Sequence, residues 1–167
     1  MAELAQSAID GRSDLGLDEI AWMFLDRLFR LVDDRTDGPS SSTAADRRRA
    51  VRTALWIHEH AAEPLTLNLI ARAAGLSPFH FLRVFSRAIG VTPHQYLVRS
   101  RLRRAAALLA DDSRAVTDVS YECGFGDLSN FVRTFRRAAG MSPGAFQRAT
   151  RGDRKILQAG LTPSAVV

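Results

Sequence analysis

Two stretches of the chain, Ile70–Tyr96 (IARAAGLSPFHFLRVFSRAIGVTPHQY) and Val119–Phe146 (VSYECGFGDLSNFVRTFRRAAGMSPGAF), carry one pattern twice, and that repeat decides the fold. Gly75 matches Gly124 at an offset of 49. Phe81/Phe131, Arg83/Arg133, Phe85/Phe135, Arg87/Arg137, Gly90/Gly140 and Pro93/Pro143 then match at an offset of 50, so the second copy has one extra residue in its turn. Each copy reads as a short helix, a glycine turn, a second helix, and then Gly-x-Ser/Thr-Pro opening a further helix. Ser77-Pro78, Thr92-Pro93 and Ser142-Pro143 each put a hydroxyl at a helix N-cap and a proline at the first helical position, where its missing N–H costs nothing. A short helix joined through a tight glycine turn to a second helix is the helix-turn-helix pattern, present here twice.

The spacing within each second helix, 78–89 and 128–139, separates two faces. Phe81, Phe85 and Ala88 in the first, and Phe131, Phe135 and Ala138 in the second, fall at i, i+4 and i+7 and predict the core face. The opposite face carries Phe79, Leu82, Arg83 and Ser86 in the first unit and Ser129, Val132, Arg133 and Arg136 in the second, with Asn130 beside them. Arginine reads guanine O6 and N7, Asn and Ser can bond adenine or phosphate, and apolar groups meet thymine methyls, so these residues are the base-reading candidates. Arg87, Arg136 and Arg137 complete the DNA-binding set as cations. A lone surface Arg is more often a solvated charge, but its placement twice in register favours a shared role for Arg83 and Arg133.

Outward from the repeats, Thr92–Ala110 reads as one continuous helix with Val98, Leu102, Ala105 and Leu109 on one face. Residues 1–45 are read as an acidic N-terminal segment ending in a Ser-rich linker, 46–151 as the tandem helix-turn-helix domain, and 152–167 as a tail. Within the first segment, Leu17, Ile20, Ala21, Phe24, Leu28 and Leu31 form one apolar stripe of a helix and Trp22, Leu25, Phe29 and Val32 a second. Two stripes on one helix suggest a partner, and pairing of residues 15–34 in a homodimer is the reading they favour. The fold class is therefore all-α, with no convincing alternating strand.

The 167 residues are 46% apolar and 25% charged, enough to build a core without crosslinks. The net charge of +5 is unevenly distributed: residues 1–45 hold 4 Arg against 9 acidic residues, and residues 46–167 hold 19 Arg and Lys against 9. The basic excess falls on the repeat domain and nearly all of it is Arg, which favours nucleic acid over membrane as partner. No run reaches 18 apolar residues and Met1–Asp14 lacks a signal-peptide pattern, so no membrane span and a cytoplasmic location are expected.

The second copy, GFGDLSNFVRTFRRAAGMSPGAF, is very similar to the signature of AraC/XylS-type transcription regulators, and the chain resembles their C-terminal DNA-binding domain over about Asp46–Arg151. The resemblance implies a seven-helix domain of two helix-turn-helix units joined by a long helix, binding double-stranded promoter DNA, with RNA polymerase as a further partner and activation as its mode. By position it implies base contacts from Phe79, Leu82 and Arg83 and from Ser129, Asn130 and Arg133. It implies a bacterial, nucleoid-associated protein. Leu82 departs from the polar residue many members carry. Typical full-length members also have a ligand-sensing barrel before this domain, which 45 residues cannot build, so the chain is either a regulator without a sensor of its own or part of a longer one.

Other chemistry finds little support. His58 and His60 point about 200° apart on a helix and do not share a metal. Gly124–Asp127 joins two helices and lacks the Lys of a phosphate-binding loop. Cys123 takes the place of Ala74 in the first copy and reads as a small core residue. A single cysteine cannot supply the zinc-bound cluster of the DNA-repair methyltransferases that share this domain, so no enzyme activity and no cofactor is expected. The alternative reading is a protein-interaction or anti-regulator module that pairs through residues 15–34.

Overall fold

The computed structural model describes residues 43–110 and 114–151; the amphipathic segment expected at 15–34, most of the expected linker and the tail from 152 lie outside them. The described residues are helical with no strand, and they divide into two compact units between Arg101 and Leu102.

In the first unit, α1 (Ala44–Glu59) is capped by Thr43, whose Oγ1 accepts from the Asp46 N–H at 3.1 Å. The expected linker therefore ends earlier than the sequence suggested, because Ala44 and Ala45 form the first turn of α1. At its far end His60 stacks on Trp56 at 4.5 Å, and its Nδ1 lies 2.9 Å from the Trp56 carbonyl, so this histidine closes a helix. α1 buries Ala50, Thr53, Ala54 and Ile57 on one face, and Ala61 just beyond its end is buried as well. Packed with it are α2 (Leu67–Ala73) and α3 (Pro78–Ile89), which bury Ile70, Phe81 and Phe85. Arg101 belongs to this unit: its Nε donates to the Ala61 carbonyl at 2.8 Å and its Nη2 to that of Glu63 at 2.9 Å, tying down the loop after α1.

α4 (Pro93–Leu109) crosses the boundary between the units as a continuous helix of 17 residues. Thr92 is its N-cap. Thr92 Oγ1 accepts from the Gln95 N–H and Gln95 Oε1 accepts from the Thr92 N–H, both at 3.2 Å, a reciprocal capping box. The second unit continues with α5 (Val116–Glu122), α6 (Leu128–Ala139) and a last helical stretch over residues 143–151. Its core is a chain of rings: Phe125 to Phe131 at 5.0 Å, Phe131 to Phe135 at 5.6 Å and Phe135 to Phe146 at 5.5 Å. Cys123 is fully buried beside them, as its match to Ala74 suggests. Glu122 holds Arg104 at 3.4 Å and also bonds Arg114.

The two turns are built alike. Gly75 (φ 66°) and Gly124 (φ 84°) adopt left-handed backbone, which a side chain strains. In each turn the next residue donates five residues back, Leu76 to the Ala71 carbonyl at 3.0 Å and Phe125 to that of Ser120 at 3.1 Å. This is the Schellman closure of a helix. The added residue of the second copy, Gly126, follows this closure and leaves it intact.

One core expectation fails. α6 buries Phe131, Thr134 and Phe135, whereas Ala138 is exposed because its last turn, from Arg136 onward, stands clear of the unit. Phe85→Ala and Phe135→Ala are each expected to cost about 3 to 5 kcal/mol in urea unfolding, and Ala138→Gln less than about 0.5 kcal/mol.

Candidate nucleic-acid interface

Both candidate reading helices begin at fixed points. Ser77 Oγ accepts from the His80 N–H at 3.4 Å to open α3. α6 has a stronger cap: Asp127 Oδ2 accepts from the Asn130 N–H at 2.7 Å and its Oδ1 from the Ser129 N–H at 3.2 Å. A carboxylate here also meets the positive end of the helix dipole. The start sets the register, and the buried phenylalanines at i and i+4 set the rotation, so the outward residues follow.

On α3, Phe79 is 53% exposed, an unusual place for a large apolar ring, and Arg83 is half-buried on the same helix. Arg87 is exposed. Two expected contacts change. Leu82 is 3% exposed, buried with Phe81, Val84 and Phe85, because α3 is apolar over more of its circumference than one stripe and the extra face also packs. Ser86 lies on the helix as expected, but its hydroxyl oxygen is buried without a hydrogen-bond partner, so it is not offered to a ligand.

On α6, Ser129, Arg136 and Arg137 are exposed, while Asn130 and Arg133 are half-buried and joined to each other. Arg133 Nη2 donates to Asn130 Oδ1 at 3.3 Å, and Thr134 Oγ1 donates to the same oxygen at 3.2 Å. The structure thus brings two of the expected base-reading residues into one bonded group. Sequence reasoning missed Asp127, which it read only as part of a turn, and Thr134, which it left unassigned. The signal for Asp127 was available, an Asp directly before the first helical residue. Arg101 and Arg104 fall in the basic stretch of α4, yet both are engaged by the protein itself.

Among the described residues no group of three or more His, Cys, Asp or Glu is placed to hold a metal ion, and no helix is long and apolar enough to cross a membrane.

Residues 70–149 match the family model described as a helix-turn-helix domain. The chain is 31% identical, with a TM-score of 0.60, to the DNA-binding domain of AdpA, a global transcriptional factor whose structure is in complex with a target DNA; the match covers 64% of this chain and 96% of that one. The helical repeat is an AraC/XylS-type DNA-binding domain. A domain described as AraC-type, from Chromobacterium violaceum, is 25% identical with a TM-score of 0.59, over 65% of this chain and 96% of that one. Among curated relatives, a probable transcriptional regulator LumQ of Photobacterium leiognathi is 28% identical over 145 residues, 87% of this chain and 55% of the relative. The transcriptional activator RhaS of an Enterobacter species is 39% identical over 88 residues, 53% of this chain and 32% of the relative. The chain therefore spans about half or less of the length of these relatives.

Asp127→Ala is expected to lower stability by about 1 to 2 kcal/mol and Asp127→Asn by less, since Asn still caps; thermal unfolding followed by circular dichroism measures both.

Proposed function

We propose that the chain is a sequence-specific DNA-binding transcription regulator that reads two successive major grooves with α3 and α6. The observation that carries this reading is the repeated arginine, Arg83 and Arg133, held half-buried at matching positions of two identically closed helix-turn-helix units. Likeness to the AdpA domain, crystallised with a target DNA, supports it. The 17-residue α4 spans about 25 Å at 1.5 Å per residue, a length suited to units serving neighbouring turns of a duplex whose repeat is about 34 Å. Arg83, Arg133 and Phe79 are the proposed base-reading residues, while Arg87, Arg136, Arg137 and Ser129 meet phosphate.

The partners at the promoter would be double-stranded DNA and RNA polymerase, in the bacterial cytoplasm at the nucleoid, with activation as the outcome. The relative RhaS is named an activator, which favours that mode. An enzymatic role has no support among relatives, which are regulators. A homodimer through residues 15–34 would set four helix-turn-helix units on two half-sites. One described surface favours it: Val51 and Leu55 of α1 are 48% and 58% exposed beside Arg47, Arg48 and Arg52, an apolar strip flanked by cations on which the acidic segment of a second copy could lie. The protein-interaction reading without DNA rests on the same strip, and loss of all DNA binding is its test.

Selection of bound sequences from a random pool tests the main reading directly. With roughly 6 to 10 phosphate contacts, affinity for the selected site is expected to fall about 10³- to 10⁵-fold between 50 and 200 mM salt. Arg83→Ala and Arg133→Ala should each cost about 1 to 3 kcal/mol at that site and relax one base position, whereas Arg136→Ala weakens all sequences alike. A salt-independent affinity, or no enriched motif, rejects the proposal. Light scattering on the full chain and on a Leu25→Glu, Phe29→Glu variant tests pairing: a dimer that becomes a monomer supports it, and equal masses reject it.

A further inference from the structure

Arg133 carries the proposed reading by α6, and its surroundings restrict what both it and Asn130 can do. A guanidinium only donates, so the Asn130 atom facing Arg133 Nη2 at 3.3 Å is the carbonyl oxygen, and the amide orientation is fixed. Thr134, a buried residue, donates its hydroxyl to that same oxygen at 3.2 Å. Two donors fill both lone pairs of Oδ1. Bidentate recognition of adenine by Asn requires Oδ1 to accept from the base N6 while the amide nitrogen donates to N7. Asn130 has no acceptor left for the first of these bonds.

The guanidinium is restricted in turn. Arg133 Nε is buried with no partner, and one hydrogen of Nη2 is given to Asn130. Nη1 and the second hydrogen of Nη2 remain, the end of the fork, which is a pair able to meet guanine O6 and N7. The backbone of Asn130 is itself pinned by Asp127 at 2.7 Å, so the chain of bonds runs from the helix cap to the reading residue.

We propose that Asn130 is a positioning residue: locked by Thr134, it holds the end of the Arg133 fork toward the groove, and it reads no base of its own. This rests on the DNA-reading function proposed above. The first unit is built differently, because His80 and Val84 stand where Asn130 and Thr134 stand in the second, and valine has no hydroxyl to lock a partner.

The test is selection from a random duplex pool with the full chain, comparing wild type, Asn130→Ala, Arg133→Ala, the double variant, Thr134→Val and Thr134→Ser, with affinity for random DNA measured alongside. Asn130→Ala should blur the same base position as Arg133→Ala and lower the ratio of specific to random binding about 3- to 10-fold, the worth of one hydrogen bond to a charged or neutral partner. The double variant should lose no more specificity than Arg133→Ala alone. Thr134→Val should reproduce part of the loss and Thr134→Ser should restore the wild-type profile, a rescue that a purely packing role of Thr134 does not give. If Asn130→Ala blurs a different base pair and the two losses multiply, Asn130 reads its own base and the proposal is overturned. It is equally overturned if Asn130→Ala leaves the profile intact while Arg133→Ala alters it. A wild type that enriches no motif rejects the DNA-reading function itself, and this proposal with it.

Discussion

Phe131 and Phe135 lie one helical turn apart, and their burial against Phe125 and Phe146 fixes the rotation of α6 about its axis. A helix free to turn by even one residue, about 100°, would present a different set of side chains. Phe81 and Phe85 do the same for α3, with Tyr96 closing the group from α4. Each ring pair buries its full surface, so rotating the helix would return two aromatic side chains to water. The outward positions of both helices are consequences of that cost.

Helix limits were legible because they are set by local chemistry. Hydroxyl caps, prolines at first positions and left-handed glycines act within four residues, and α3 and α6 run over 78–89 and 128–139 as the sequence suggests, although the Asp127 cap itself went unread. Depth was less legible. Periodicity gives the angle at which a residue leaves a helix, not how much protein stands there. Leu82 and Ala138 show the two directions of this: one is buried off the main stripe, the other is exposed on it. Asn130 shows a third. Its place beside the outward face of α6 was visible, but its bonds to Arg133 and Thr134 depend on side-chain geometry that no spacing encodes.

The basic character of the domain divides in a way that charge counting does not anticipate. Arg101 gives its donors to the Ala61 and Glu63 carbonyls, and Arg104 and Arg114 share Glu122. Arg104 keeps about half its side-chain surface exposed, so its pairing with Glu122 contributes little to stability and lowers the local positive potential instead. On α3 and α6 the cations most exposed to a polyanion are then Arg87, Arg136 and Arg137, toward the ends of the two helices. Their position at helix C-termini also suits the negative end of the helix dipole, so they favour the folded helix before any ligand arrives.

The two units share a frame and differ in what they mount on it. α6 starts from a carboxylate that caps two N–H groups, and its arginine is oriented by an amide that is itself locked. α3 starts from a single hydroxyl bond and exposes an aromatic ring, Phe79, within its first turn. An oriented guanidinium discriminates through hydrogen bonds of fixed direction, which are lost sharply when the base is wrong. An exposed ring meets a thymine methyl or a sugar by contact alone, a preference that is weaker and more tolerant of position. On the proposed DNA-reading function, Arg133 would therefore be held more strictly than Arg83, a difference that traces to Asn130 with Thr134 against His80 with Val84, while Phe79 in place of Ser129 would add contact of the more permissive kind.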